Sequence, residues 1–407
     1  MRRTLTMAVV AAALLVPGGP LPVAVAGAGS AAAPVAVGRW SAREAQSFWT
    51  AERMASAAPL PPVPPGLVDP APPELPEPPE PAEPVEGDPA EPAASADPAE
   101  AIPAATPTPV VTGLPVPSAT PAATPTPAPT PTPTAVATPT RAPSAPAPAP
   151  LPAPARPAVP RLPALTPGIG QNFDGIPVAG RMFLVKSGGT YFCTASVVSS
   201  PGRDLVLTAA HCLLGSDTQQ VAFVPQYTRA KPQPYGMFPV LRDAAGRSKI
   251  WIDPRYRSQG IDRAAALDVA FAQVGPDARG FPVEAVVGGN RLKTGAGYAH
   301  ARVTLIGYPA SAARPRVCVN RTTKFTSADA RIPGSFLRID CTGYPGGTSG
   351  GPFLTGYDAR TGTGDVVGVI GGWKTGGDKA DTSYSSYFGA DIRKLYEKAV
   401  AGAKARR

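Results

Sequence analysis

The 407 residues carry 38 Lys or Arg against 29 Asp or Glu, a formal charge of +9, with 56 prolines and only two histidines. Such a basic balance could suit nucleic acid, anionic polymers or membranes, but the charges are scattered and no recognition motif accompanies them, which argues against nucleic acid. The proline content excludes one folded unit over the whole length: 38 of the 56 fall between Pro59 and Pro167, where too few large apolar side chains exist to offset ordering entropy.

The chain opens with "MRRTLTMAVVAAALLVPGG": two arginines, an apolar run from Met7 to Val16, then small residues with an Ala24-Val25-Ala26 site. This is the order of a secretory signal peptide, expected over residues 1–26. The run is short and soon broken by Pro17 and Pro20, so stable membrane insertion is not expected after cleavage; an uncleaved anchor is the alternative. Export to an extracellular or cell-wall location would make the four cysteines a disulfide set.

Next comes "WSAREAQSFWTAERMASA", residues 40 to 57, where Ser41 and Glu44 have capping-box spacing and Ala45, Phe48 and Trp49 fall on one helix face. An isolated helix this short is marginal in water, so its aromatics predict docking. Residues 27–58 are therefore expected to be a short pro-like segment resting on the folded domain, the alternative being a weakly structured surface segment.

Residues 59–167 are expected to be a disordered Pro/Ala/Thr-rich linker, with an acidic half, "PPELPEPPEPAEP", and a Thr-Pro half suited to O-glycosylation. In polyproline II at roughly 3.1 Å per residue the linker would reach on the order of 300 Å, enough to cross a thick cell wall. It holds 3 basic against 10 acidic residues, whereas 168–407 holds 30 against 17. The domain is thus basic on an acidic tether, which suits contact with an anionic wall polymer.

From Gly168 onward short β-rich runs alternate with Gly, Pro and Asp turns: "RMFLVKS", "YFCTASVVSS", "LVLTAAHC", "QVAFVP", "LDVAFAQV", "ARVTLIGYP", "SFLRIDCT" and "DVVGVIGGW". They lie too close together for crossover helices and are too many for one open sheet, which predicts an antiparallel barrel pair or a sandwich. One helical pattern stands out, the terminal "ADIRKLYEKAVAGAKARR", with Ile392, Leu395, Tyr396 and Ala399 on one face.

Ser349 lies in Gly347-Thr348-Ser349-Gly350-Gly351, a G-x-S-x-G pattern shared by several serine hydrolases. A serine hydroxyl needs a general base, normally histidine, and the α/β-hydrolase elbow expects that histidine after the serine. Both His211 and His300 precede it. His211, in "VLTAAHC", is the expected base; His300 begins a strand and reads as an ordinary surface or loop residue. The third member must be a buried carboxylate. Asp268 in "ALDVAFAQV", on a strand face with Ala270 and Ala272, would be costly to bury unpaired and is the favoured candidate, with Asp262 in the loop-like "GIDRAA" as competitor.

Together "TAAHC" and "GTSGGP", in the order His, Asp, Ser, resemble the trypsin-like (chymotrypsin-fold) serine peptidases, especially their secreted bacterial branch, over about Phe173 to Ala399. The resemblance implies an all-β domain over 168–407, built of two antiparallel six-stranded β-barrels with a C-terminal helix. It implies Ser349 as nucleophile, His211 as general base and then acid, Asp268 as orienting carboxylate, and backbone N–H groups of Gly347 and Ser349 as oxyanion hole. It further implies a Cys193–Cys212 disulfide, which leaves Cys318 with Cys341. A polypeptide substrate would add as a strand to "VVGVIGGWKTGG", placing Gly371, Gly372 and Trp373 at the primary pocket.

Departures from the family limit the carry-over. Thr348 stands where animal members have an aspartate that pairs with a newly cut N-terminus, and Gly343 stands where trypsin-like enzymes bind Arg or Lys. No histidine follows the serine, as it does in members that cut after glutamate. Lys374 reads as a solvated lysine rather than a binder of acidic side chains, so small or apolar side chains are expected in the pocket. No metal or organic cofactor is expected, since the cysteines lack zinc-ligand spacing and no phosphate-cradling loop stands out; a monomer is expected. The rival function is a non-catalytic wall- or matrix-binding module on a protease-like fold.

Overall fold

The computed structural model describes residues 40–61 and 158–404. The expected signal peptide and nearly all of the expected linker lie outside the described residues. Among those described, no helix is long and apolar enough to cross a membrane.

Two short helices come first, α1 (Ala42–Phe48) and α2 (Ala51–Ser56), followed by the two-residue strand β1 (Ala58–Pro59). The capping box is present: the Glu44 amide donates to Ser41 Oγ, and the Ser41 amide donates to Glu44 Oε2 at 2.8 Å. At α2 the Thr50 hydroxyl caps alone, accepting from the Arg53 amide at 3.2 Å. Trp49 and Met54 are fully buried, so this segment docks rather than standing free.

The first half of the domain contains β2 (Gln171–Asn172), β3 (Ala179–Lys186), β4 (Gly189–Val198), β5 (Leu205–Thr208), α3 (Ala210–Leu213), β6 (Gln219–Pro225), β7 (Phe238–Pro239), β8 (Ile250–Ile252), α4 (Pro254–Arg263), β9 (Ala270–Gln273) and α5 (Val283–Val287). The second contains β10 (Arg291–Leu292), β11 (His300–Gly307), β12 (Arg316–Thr326), β13 (Ser335–Asp340), β14 (Pro352–Asp358), β15 (Thr363–Val369), β16 (Thr382–Ser386) and α6 (Ala390–Lys404).

The strands form two curled, mostly antiparallel sheets. The first runs β7-β6-β3-β4-β5-β9-β8, with β1 added to β4; the second runs β10-β15-β14-β11-β12-β13-β16, with β2 added to β12. In the first sheet the amide of Leu241 donates to Gln273 O at 2.8 Å and that of Gly275 to Pro239 O at 2.7 Å, joining the chain at β7 to the chain at β9. In the second, the Gly371 amide donates to Tyr384 O at 3.0 Å and the Val369 amide to Ser385 Oγ at 2.9 Å, joining β15 to β16. Curling satisfies backbone groups that a flat edge would leave open.

Each sheet encloses apolar side chains, among them Met182, Val206 and Phe238 in the first and Leu305, Leu337 and Phe353 in the second. A separate cluster lies between the sheets, where Phe271, Val366 and Ile306 meet Ile392, Leu395 and Ala399 of α6. The terminal helix thus uses the face expected from its sequence. Val159, Leu162 and Leu165 also pack on this cluster, so the folded part takes in residues N-terminal to 168.

The sequence reading missed α4 and treated its residues as a loop. The available signals were Asp253, whose Oδ1 accepts from the Arg255 amide, and Pro254 at the first helical position. Asp262 is accordingly helical, and half-buried.

Candidate active site

The strand carrying "VLTAAHC" ends at Thr208, earlier than its apolar run suggests, and His211 sits on the single helical turn α3 that follows. His211 is 5% exposed. Asp268 precedes rather than occupies β9: it caps a 3₁₀ turn over Ala265–Leu267. Over Val269 to Ala272 the faces alternate as read from "LDVAFAQV": Ala270 and Ala272 face the interior of the first sheet, Val269 and Phe271 the inter-sheet cluster, so β9 is buried on both faces.

Asp268 is completely buried, and its carboxylate accepts three N–H bonds. Oδ1 accepts from the His211 amide at 2.9 Å; Oδ2 lies 2.8 Å from His211 Nδ1 and accepts from the Gly372 amide at 2.8 Å. Burial pushes the Asp268 carboxyl up, but the His211 ring, its amide and the Gly372 amide outweigh that and hold it below its usual value. A carboxylate facing Nδ1 keeps a proton on that nitrogen and leaves Nε2 as the basic one. Tyr256 is buried beside Asp268 without meeting hydrogen-bond geometry, and burial followed by that negative charge raises its phenol well above the ordinary value.

Ser349 comes from the other sheet, on the turn between β13 and β14, and lines the same cavity as His211. The peptide carbonyls around it are all committed. Gly346 O accepts from the Ala310 amide at 3.0 Å, Gly347 O from Thr194 Oγ1 at 2.9 Å, Thr348 O from the Gly351 amide at 2.9 Å, and Ser349 O from the Thr194 amide at 2.8 Å. In a planar trans peptide the N–H points opposite its C=O. The N–H groups of Gly347 and Ser349 therefore point away from Ala310 and Gly351, and among the described residues neither finds an acceptor.

Two glycines permit this turn. Gly347 has φ +94°, and a Cβ there would lie 2.6 Å from the Phe192 ring; Gly350 has φ +81°, and its Cβ would lie 2.1 Å from Thr194 O. Thr348 is buried with its hydroxyl donating to Pro345 O at 2.8 Å, so it anchors the turn from inside.

The sequence reading missed Thr194. It bonds both sides of the nucleophile turn, and its Oγ1 also accepts from the Tyr308 amide at 2.9 Å. Its place in "YFCTAS", beside Cys193, was the only clue. Thr194→Val should lower kcat about tenfold with little change in KM, because Gly347 loses its anchor while the substrate surface is intact. Steady-state kinetics with a chromogenic peptide would check the split.

Both disulfides form as expected. Cys193–Cys212 ties β4 to the residue after His211, and Cys318–Cys341 ties β12 to the start of the Ser349 turn. The pairing commits the two sulfurs near His211, so Cys193, His211 and Cys212 are not a thiolate ligand set. Replacing Cys318 and Cys341 by alanine should cost about 3 kcal/mol, as the closed loop of 23 residues implies. Urea unfolding midpoints of the two proteins would measure it.

The cavity is about 370 Å³, and its walls include Tyr344, Ile370, Gly376, Asp378 and Lys379. Four residues expected at the pocket do not line it. Arg316 donates to Gly343 O at 3.2 Å and fills the space a side chain there would need, Gly371 and Gly372 turn their amides to Tyr384 and Asp268, and Trp373 packs on Phe325 and Tyr384. Lys374 pairs with Asp378 at 2.5 Å, which lowers the Asp378 carboxyl and neutralises the lysine. His300 is half-buried on β11, with burial and then Lys293 lowering its pKa.

Residues 193–369 match the model of the trypsin-like peptidase domain. Residues 193–369 therefore carry a trypsin-like peptidase domain, which supports a serine peptidase. Among solved structures it is similar to the protease Anisep from Arthrobacter nicotinovorans, with 24% identity over 57% of this chain and 99% of that one and a TM-score of 0.47. It is also similar to the thermostable serine protease AL20 from an extremophilic microorganism, at 22% identity, 55% and 97% coverage and a TM-score of 0.44. A Glu endopeptidase solved with MPD shows 14% identity, 57% and 96% coverage and a TM-score of 0.41. No curated protein matches the chain.

Proposed function

We propose that the protein is a secreted serine endopeptidase in which Ser349, His211 and Asp268 form the catalytic triad on a chymotrypsin-type pair of six-stranded barrels. The observation that carries this reading is the Asp268–His211 pair, 2.8 Å apart and buried, opening on the same cavity as Ser349. The backbone bonds that close each curled sheet support the barrel description.

Ser349 Oγ attacks the substrate carbonyl carbon while His211 Nε2 takes its proton. The resulting oxyanion is held by the N–H groups of Gly347 and Ser349, each worth on the order of 3 kcal/mol. The carbon–nitrogen bond then breaks, the amine takes the proton from His211, and an ester on Ser349 remains. Water attacks that ester by the same route, giving its proton to His211, and the carboxylic product leaves as Ser349 regains its hydrogen. Asp268 stays ionised, orients the ring and stabilises the imidazolium.

Secretion is supported by two disulfides, which persist in oxidising surroundings, together with the leader-like N-terminus. The proposed organisation is a signal over 1–26, a pro-like segment over 27–58 whose docked part reaches Pro61, a linker up to about 157, and the peptidase domain beyond it. With Lys374 paired to Asp378, the wall of Tyr344 and Ile370 favours small or apolar side chains, and Lys379 is the cation on that wall that an acidic side chain would meet. Incubation with a peptide library, read by mass spectrometry, should show internal cleavage that Ser349→Ala abolishes. Absence of cleavage by folded protein from which the docked segment has been removed would favour the wall-binding module instead.

A further inference from the structure

The sheet edge beside the candidate nucleophile is covered by the chain itself. β5 pairs only with Ser196, Val197 and Val198 of β4, so that edge of the earlier residues is left without a strand from the domain. Thr194 spends its amide on Ser349 O. At Tyr191 and Phe192 the edge is taken by β1, paired in parallel as Ala58 with Tyr191 and Pro59 with Phe192, and the Leu60 amide donates to Phe192 O at 3.4 Å.

The contact continues into the site. Pro59 Cβ lies 3.3 Å from where a side chain on Gly346 would begin, against the peptide whose N–H is the proposed oxyanion donor of Gly347. Leu60 and Pro61 then line the cavity that holds His211 and Ser349.

The segment is also firmly anchored upstream. Trp49 is fully buried, with its ring 5.3 Å from Phe183 and its Nε1 donating to Gln220 O at 2.7 Å; Trp40 Nε1 donates to Val221 O at 3.2 Å. Two of the three peptide bonds from Ala58 to Pro61 end on proline nitrogens. Proline has no N–H and a fixed φ, so this stretch offers the edge little more than the Leu60 amide and cannot extend into a full substrate ladder. That chemistry suits a cover that stays in place rather than a peptide that is turned over.

From these contacts we infer that residues 58–61 occupy a peptide-binding subsite beside Ser349, held there by Trp40 and Trp49, and keep the full chain latent until the segment leaves. The inference rests on the serine peptidase reading of the site. A covered site reacts only in the fraction of molecules where the cover has lifted.

The test measures the rate at which a fluorophosphonate probe labels Ser349 in the full chain. Leu60→Asp, which puts a charge into the cavity where the half-buried Leu60 packs on the rim of the first sheet's core, should raise that rate about tenfold or more over wild type. Trp49→Ala should do the same if it folds, and a synthetic peptide of residues 40–61 should slow the Leu60→Asp protein again. Equal labelling of Ser349 in wild type and Leu60→Asp would overturn latency and leave the peptidase reading standing. No labelling of Ser349 in either protein, with circular dichroism showing both folded, would overturn the reading and the inference together.

Discussion

Ser349→Ala is expected to lower kcat by a factor on the order of 10⁶ while leaving the fold intact. Its side chain is a half-buried hydroxyl on a turn held by the carbonyls of Gly346, Gly347, Thr348 and Ser349, none of which needs that oxygen. The loss is therefore chemical. In the proposed mechanism the amides of Gly347 and Ser349 still stabilise an oxyanion, so a residual rate on the order of 10³ over water should survive. Single-turnover kinetics on a peptide ester, with thermal denaturation as the control for folding, would measure both numbers.

Asp268→Asn is expected to lower kcat on the order of 10⁴-fold. Asparagine can turn an N–H toward His211 Nδ1, which forces the imidazole proton onto Nε2 and removes the lone pair that Ser349 needs. The same change alters the acid stability of the protein. The folded carboxyl is held below its ordinary value of 3.8, so its stabilisation is complete above about that pH and is lost as pH falls through the depressed folded value. Wild type should therefore lose melting temperature more steeply than Asp268→Asn as the pH falls below about 4. Parallel slopes would show that the buried carboxylate is not what His211 and Gly372 stabilise.

Much of the site was legible because its chemistry is local in sequence. The glycines around Ser349 announce a turn with unusual backbone angles, and "TAAHC" joins a strand end, a base and a half-cystine in five residues. What the sequence concealed depends on partners far away in the chain. Thr194 gains its role from Gly347 and Tyr308, and no spacing rule connects them. Asp268 is buried and paired as expected, but it stands on the turn before β9 rather than on the strand, and burial on both faces of β9 hides from the sequence where the strand begins. The surroundings of Gly343, Gly371, Gly372 and Trp373 were hidden for a similar reason: Arg316, Asp268, Phe325 and Tyr384 contact them from other elements.

The docked segment shows the same divide. Its capping box and aromatic face were readable as local helix signals, and they predicted docking. Where it docks was not readable, because that is set by the uncovered edge of β4 and the aromatic surface at Phe183. The boundary at Pro59 also misled: a composition rich in proline marks the start of the linker, yet Pro59 and Pro61 belong to the contact.

Peptide mapping of the intact chain after prolonged exposure to a fluorophosphonate tests the central claim most directly. The account predicts one phosphonylated residue, Ser349, with labelling abolished in Ser349→Ala and strongly slowed in His211→Ala. A folded protein that takes up no label, or carries it on another residue in wild type and Ser349→Ala alike, would contradict it.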